Sequence, residues 1–102
     1  MNSKIIVTGG SGRFGQILKK TKTKYKIFYP SKKQLDITNF KKIKSYLRKK
    51  RPKALIHLAG LSRPMNEHQK KISKSIILNI IGTANLVRAC YEMNIKIIYF
   101  SS

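Results

Sequence analysis

Lys4-Ile5-Ile6-Val7-Thr8-Gly9-Gly10-Ser11-Gly12-Arg13-Phe14-Gly15 decides the reading of this chain. The β-branched apolar run from Lys4 to Thr8 suits a strand buried on both faces, and it stops at glycines. Gly9, Gly12 and Gly15 then form G-x-x-G-x-x-G. Phe14, Ile17 and Leu18 follow at helical spacing, so Gly12 to Lys20 is expected to be a helix. A glycine pattern alone carries little weight. Between a strand and a helix, the first glycine can make the tight turn, the second can let backbone approach a pyrophosphate, and the third can let helix and strand pack closely. The helix amides would face the phosphates. The plain alternative is a glycine-rich turn with no ligand. No Gly-Lys-Ser/Thr follows, which excludes a P-loop.

Outward from this stretch the pattern repeats. Tyr25 to Tyr29, closed by Pro30, reads as a second strand. Asn39 can cap a helix with Phe40, Ile43 and Leu47 on its apolar face, ending before Pro52. Ala54 to Leu58 is a third buried strand. Leu61 to Lys71 is polar, contains Pro64 and reads as a loop. A long helix is expected over Ser73 to Met93, with Ile76, Ile77, Ile80, Ala84, Val87 and Tyr91 as its apolar side, and Ile95 to Phe100 is the fourth strand. Strands alternating with helices imply a parallel sheet with right-handed crossovers, an α/β doubly wound half-domain of Rossmann type.

Composition sets limits. A chain of 102 residues is one small domain at most. Its apolar runs fall far short of the ~20 residues a spanning helix needs, and no signal peptide precedes Ile5, so a cytoplasmic protein with no membrane partner is expected. Cys90 is the sole cysteine and reads as a core residue; no metal site is expected. The 23 Lys and Arg against 3 Asp and Glu give a formal charge of +20. Such a charge attracts polyanions, but the lysines are spread along the chain without stacking aromatics or a nucleic-acid motif. A solvated basic surface is the better reading, and a nucleic-acid partner is set aside. Abundant Ile and Asn beside Lys also suit an AT-rich coding sequence.

These pieces resemble the N-terminal part of an extended short-chain dehydrogenase/reductase of the dTDP-4-dehydrorhamnose reductase and nucleotide-sugar epimerase/dehydratase type. The resemblance rests on T-G-G-S-G-R-F-G, L-D-I-T-N after the second strand, R-P-K-A-L-I-H-L-A-G around the third, N-I-I-G-T-A-N-L on the long helix and I-I-Y-F-S-S at the end. It implies a partial NAD(P)-binding Rossmann domain over 1–102. Gly9, Gly12 and Gly15 would hold the pyrophosphate, with Arg13 and Phe14 beside them. Asp36 and Ile37 would lie near the adenine, although Asp36 equally suits a turn-capping role. Ala59 and Gly60 would be the small residues over which the cofactor passes. Asn79 matches the family's helix asparagine, with satisfaction of buried polar groups as its larger expected role. His57, inside a strand, reads as a satisfied core histidine.

Ser102 matches the hydroxyl residue that holds the reacting sugar carbonyl. The family's proton donor, a Tyr with a Lys four residues later, would come after Ser102. Tyr46/Lys50 and Tyr29/Lys33 have the spacing, but neither pair follows the fourth strand; Tyr46 is expected to cover the core and Lys50 to be solvated. The resemblance therefore implies a cofactor-binding part, inactive alone, of an enzyme whose substrate is a nucleotide sugar. A complementing C-terminal fragment or a homo-oligomer would be its partner, and a non-catalytic NADP(H)-binding regulatory module is the other reading. In this fold an acid after the second strand binds the ribose of NAD, whereas basic residues accept the 2′-phosphate of NADP. Ser31-Lys32-Lys33 stands there, so NADP(H) is expected over NAD(H), with Arg13 as a further candidate cation or merely another exposed base.

Overall fold

The computed structural model describes residues 3–9, 13–21, 23–59 and 69–101. Along the chain run β1 (Lys4–Thr8), α1 (Arg13–Lys20), β2 (Lys26–Phe28), α2 (Phe40–Lys50), β3 (Ala54–Ala59), α3 (Gln69–Glu92) and β4 (Lys96–Ser101). The strands form one sheet in the order β2-β1-β3-β4. All pairings are parallel, with Ile6 opposite Phe28 and Leu55, Thr8 opposite His57, and Ala59 opposite Ser101. The β1-to-β2 crossover runs along the sheet in the opposite sense to the other two. Right-handed connections therefore place α1 on one face and α2 with α3 on the other. This is the doubly wound arrangement expected from the alternating pattern.

Alternation along the strands sorts the core. Ile6 and Leu55 point to the α2/α3 face, where they are buried with Leu35, Ile43, Leu47, Leu86, Ala89 and Cys90. Val7 and Leu58 are buried on the opposite face. Burying each large aliphatic side chain contributes roughly 1.5–3 kcal/mol, so this cluster supplies much of the stability. The α2 helix forms as its sequence directs. Asn39 Oδ1 accepts from the Lys42 amide at 3.1 Å, and Ile43 and Leu47, four residues apart, are both fully buried. Arg51 ends the helix in the left-handed region (φ 51°), donating its amide to the Leu47 carbonyl at 2.8 Å, ahead of Pro52. Cys90 is a core residue as expected, and burial pushes its thiol up to about 11. No helix among the described residues is long and apolar enough to cross a membrane.

Three expectations are corrected. The second strand is only Lys26–Phe28, because its neighbours continue into a turn that has no ladder partner. The long helix begins at Gln69 instead of Ser73, so Gln69 to Lys71 are helical, not loop; Pro64 to His68 lie outside the described residues. The third correction concerns which side of α3 is inside. Ile76, Ile77, Ile80, Ala84, Val87 and Tyr91 are exposed, whereas Gly82, Leu86, Ala89 and Cys90 are buried, flanked by the half-buried Asn79, Thr83 and Asn85. The helix lies so close to the sheet and to Ile37 that small and hydrogen-bonding side chains fit beneath it and isoleucines do not. Ile17 on α1 is likewise exposed, while Leu18 is half-buried.

Candidate functional site at the carboxyl edge of the sheet

Parallel strands deliver their carboxyl ends to one edge, and Thr8, Phe28 and Ala59 end three of them there. From β1 the chain turns one way to β2, and from β3 the other way to β4, so the gap between β1 and β3 is the topological switch point where this fold binds ligands. Gly9 occupies that point. Its φ is +76°, and a Cβ on it would run into the Leu58 carbonyl oxygen of β3. Only glycine combines the left-handed turn with this backbone approach. Gly15 is buried in α1. Arg13 and Phe14 open that helix, their side chains lying outside the described residues, as do Gly12, Gly60 and Ser102. Ala59 closes β3.

Beyond β2 the chain makes a compact basic turn. The Ser31 carbonyl accepts from the amides of Gln34 (3.0 Å) and Leu35 (2.9 Å), and the Ser31 amide donates to Gln34 Oε1 at 2.9 Å. Ser31, Lys32 and Lys33 are left exposed on its outside. Leu35 anchors the turn in the core. Asp36 performs the turn role foreseen for it: its Oδ1 accepts from the Thr38 hydroxyl (2.6 Å) and amide (3.0 Å), and these bonds hold its carboxyl below the usual range. Ile37 is pinned to α3, where Asn85 Nδ2 donates to its carbonyl at 2.9 Å and its side chain packs over Gly82.

His57 is the satisfied core histidine expected of a buried strand, only 2% exposed. Its Nδ1 shares a hydrogen bond with the Thr8 hydroxyl at 2.7 Å, its Nε2 one with the Thr83 hydroxyl at 3.0 Å, and Tyr99 stacks on the ring at 5.6 Å between centroids. Asn79 hydrogen-bonds the same imidazole, so this asparagine satisfies a buried side chain, not buried backbone. Burial lowers the His57 pKa, with the Asn79 bond opposing. The unfolded chain takes up this proton near pH ~6.5, and the folded chain only at lower pH. The stability contributed by the neutral ring is therefore complete above pH ~6.5 and lost as pH falls through the folded value. Melting temperatures at pH 7, 6 and 5 should fall more steeply for the unsubstituted chain than for His57→Gln; equal slopes would remove His57 as the cause.

Neither Tyr/Lys pair forms a proton-donating site. Burial raises the phenols of both Tyr46 and Tyr29, the opposite of what a proton donor near neutrality needs. Tyr46 packs against the core as expected. Lys50 is not simply solvated: its Nζ lies 4.5 Å from the Phe28 ring centroid and 5.8 Å from that of Tyr46. Three residues of this region escaped the sequence reading. They are Gly82 and Asn85, which seat Ile37, and Thr83, which holds His57. The legible signal was a glycine inside a helix, which marks a close approach.

A glycine turn at the switch point, small residues closing β3 and a basic turn after β2 define a Rossmann-type NAD(P)-binding domain. Residues 3–102 match the RmlD substrate binding domain, and the chain belongs to that family. It is 35% identical over 95 residues to GDP-L-colitose synthase of Yersinia pseudotuberculosis, covering 91% of this chain and 31% of that protein. It is 33% identical over 96 residues to GDP-6-deoxy-D-talose 4-dehydrogenase of Aggregatibacter actinomycetemcomitans, covering 90% and 32%. Among solved structures, the fold superposes on dTDP-4-dehydrorhamnose reductase from Bacillus anthracis in complex with NADP, with a TM-score of 0.81, 29% identity and coverage of 97% and 36%. GDP-L-fucose synthetase from Naegleria fowleri bound to NADP gives 0.74, 29%, 95% and 30%. The chain corresponds to an N-terminal fragment and spans about a third of the curated relatives it matches.

Proposed function

We propose that these 102 residues form the NADP(H)-binding part of a reductase or epimerase acting on a nucleotide-activated sugar. The carrying observation is the left-handed Gly9 at the switch point, beside an exposed basic turn at Ser31-Lys32-Lys33. Bound there, NADP(H) would supply the hydride exchanged with the sugar. The residues in place suit that group. Gly9, Gly12 and Gly15 would leave room for the pyrophosphate, with Arg13 and Phe14 at the helix start beside it. Lys32, Lys33 and the Ser31 hydroxyl would take the 2′-phosphate, since no acidic side chain stands between Pro30 and Leu35 to repel it. Asp36 and Ile37 would border the adenine, Ala59 and Gly60 would pass beneath the cofactor, and Asn79 would fix the helix wall through His57. Ser102 would hold the sugar carbonyl. With neither Tyr46 nor Tyr29 suited to donate the proton, further polypeptide would have to complete catalysis.

Fluorescence titration with NADPH and NADH tests this reading. NADPH should bind at least tenfold more tightly, and Lys32→Glu with Lys33→Glu should erase most of that preference, because charge-assisted bonds contribute roughly 1.5–3 kcal/mol each. Equal affinity for the two cofactors would refute the choice of NADP(H). Binding of neither would refute the functional reading.

A further inference from the structure

The apolar stripe of α3 is well formed but faces outward. At about 100° per residue, Ile76, Ile80, Val87 and Tyr91 fall on one flank of the helix, with Ile77 and Ala84 on its outer side. Tyr91 is 86% exposed, Ile80 64% and Ile77 56%. The opposite flank is already occupied by α2. There Glu92 pairs with Lys44 at 2.9 Å, and Arg88 lies over the Phe40 ring. Because α2 lies on the β1 side of α3, the apolar flank points past β4, the outermost strand on that side. β4 pairs with β3 along Lys96–Ser101 and with no further strand among the described residues, and its Ile98 and Tyr99 are also exposed. A single small domain rarely leaves so large a contiguous apolar surface uncovered.

Resting on the reading of this chain as the N-terminal part of a larger reductase, we propose that the outer edge of β4 and the free flank of α3 form one docking surface. Its occupant is the polypeptide that follows the matched segment in the relatives. That body would add a strand beside β4 and lay a helix along Ile76, Ile80, Val87 and Tyr91, as parallel α/β sheets extend. Two observations select it over a second copy of this chain. The relatives are about three times as long as the matched segment, so a body of sufficient size exists in the family. Two copies, each carrying +20, would repel one another on approach.

The test co-expresses the 102-residue chain with a tagged polypeptide comprising the part of the Yersinia pseudotuberculosis synthase beyond its matched segment. Affinity capture and light scattering should give a one-to-one complex. Ile80→Asp with Tyr91→Asp should weaken it at least tenfold, while the melting temperature of the chain alone stays unchanged because both side chains are in solvent. Absence of a complex, or a complex indifferent to the double variant, overturns the proposal. So does a stable dimer of the chain alone that the variant dissociates. NADPH titration of the unsubstituted chain and the double variant separates the two readings: loss of cofactor binding in both would sink the functional one and leave the docking result standing.

Discussion

Gly9→Ala is expected to unfold much of this chain at a temperature where the unsubstituted protein is folded. Two penalties add. At φ +76° an alanine gives up roughly 1–2 kcal/mol relative to its favoured conformations. Its Cβ also meets the Leu58 carbonyl oxygen, a backbone atom in the β3 strand beside it, which cannot swing aside as a side-chain tip could. Forced overpacking of this kind costs about 1–3 kcal/mol. Together these reach ~2–5 kcal/mol, a large share of the 5–15 kcal/mol that holds an ordinary domain together. Urea denaturation followed by circular dichroism measures the loss directly. A difference below ~0.5 kcal/mol would show that β1 and β3 do not approach as closely as their register places them. Cofactor binding, measured where the variant remains folded, should weaken as well, because the same turn begins the proposed pyrophosphate loop.

The strand–helix alternation, the parallel sheet and the switch-point position of Gly9 were legible because they depend on short-range signals. β-branched runs mark buried strands, glycines mark turns, and Asn39 and Pro52 punctuate α2. The orientation of α3 was not legible from hydropathy. Its isoleucines make the more convincing apolar stripe, yet the helix turns that stripe outward and buries a face of Gly82, Thr83, Leu86, Ala89 and Cys90. Hydropathy ranks surfaces by transfer free energy, whereas close packing is decided by volume and by partners for polar groups. His57 needs two hydroxyls and an amide around it, and Ile37 needs a hollow; α3 meets both on one side. The family resemblance in N-I-I-G-T-A-N-L already contained these residues, and the structure explains why they recur at that spacing. Asn79, Thr83 and Leu86 fall under one another on the buried face, with Gly82 and Asn85 towards Ile37.

Gly82→Val should expose this logic by inverting what propensity predicts. Valine is the better helix former by a few tenths of a kcal/mol, so on a free helix the change would stabilise. Here the new Cβ would fall on the Cγ1 and Cδ1 atoms of Ile37, and its own Cβ is near enough to limit escape by rotation. Overpacking of about 1–3 kcal/mol outweighs the helical gain and leaves a net loss near ~1–2 kcal/mol. Ala84→Val, two residues on and exposed, supplies the control and should change stability by no more than ~0.5 kcal/mol. The loss at Gly82 should also reach the proposed site, since displacing Ile37 pulls its carbonyl from Asn85 and disturbs the Asp36–Thr38 turn, weakening NADPH binding several-fold. Adding Ile37→Ala to Gly82→Val should restore part of the stability, because the second change empties the volume the first one needs. Denaturation of the two single variants and the double variant then gives a coupling energy whose sign is decisive. Simple additivity of the two losses would mean that Gly82 and Ile37 do not touch.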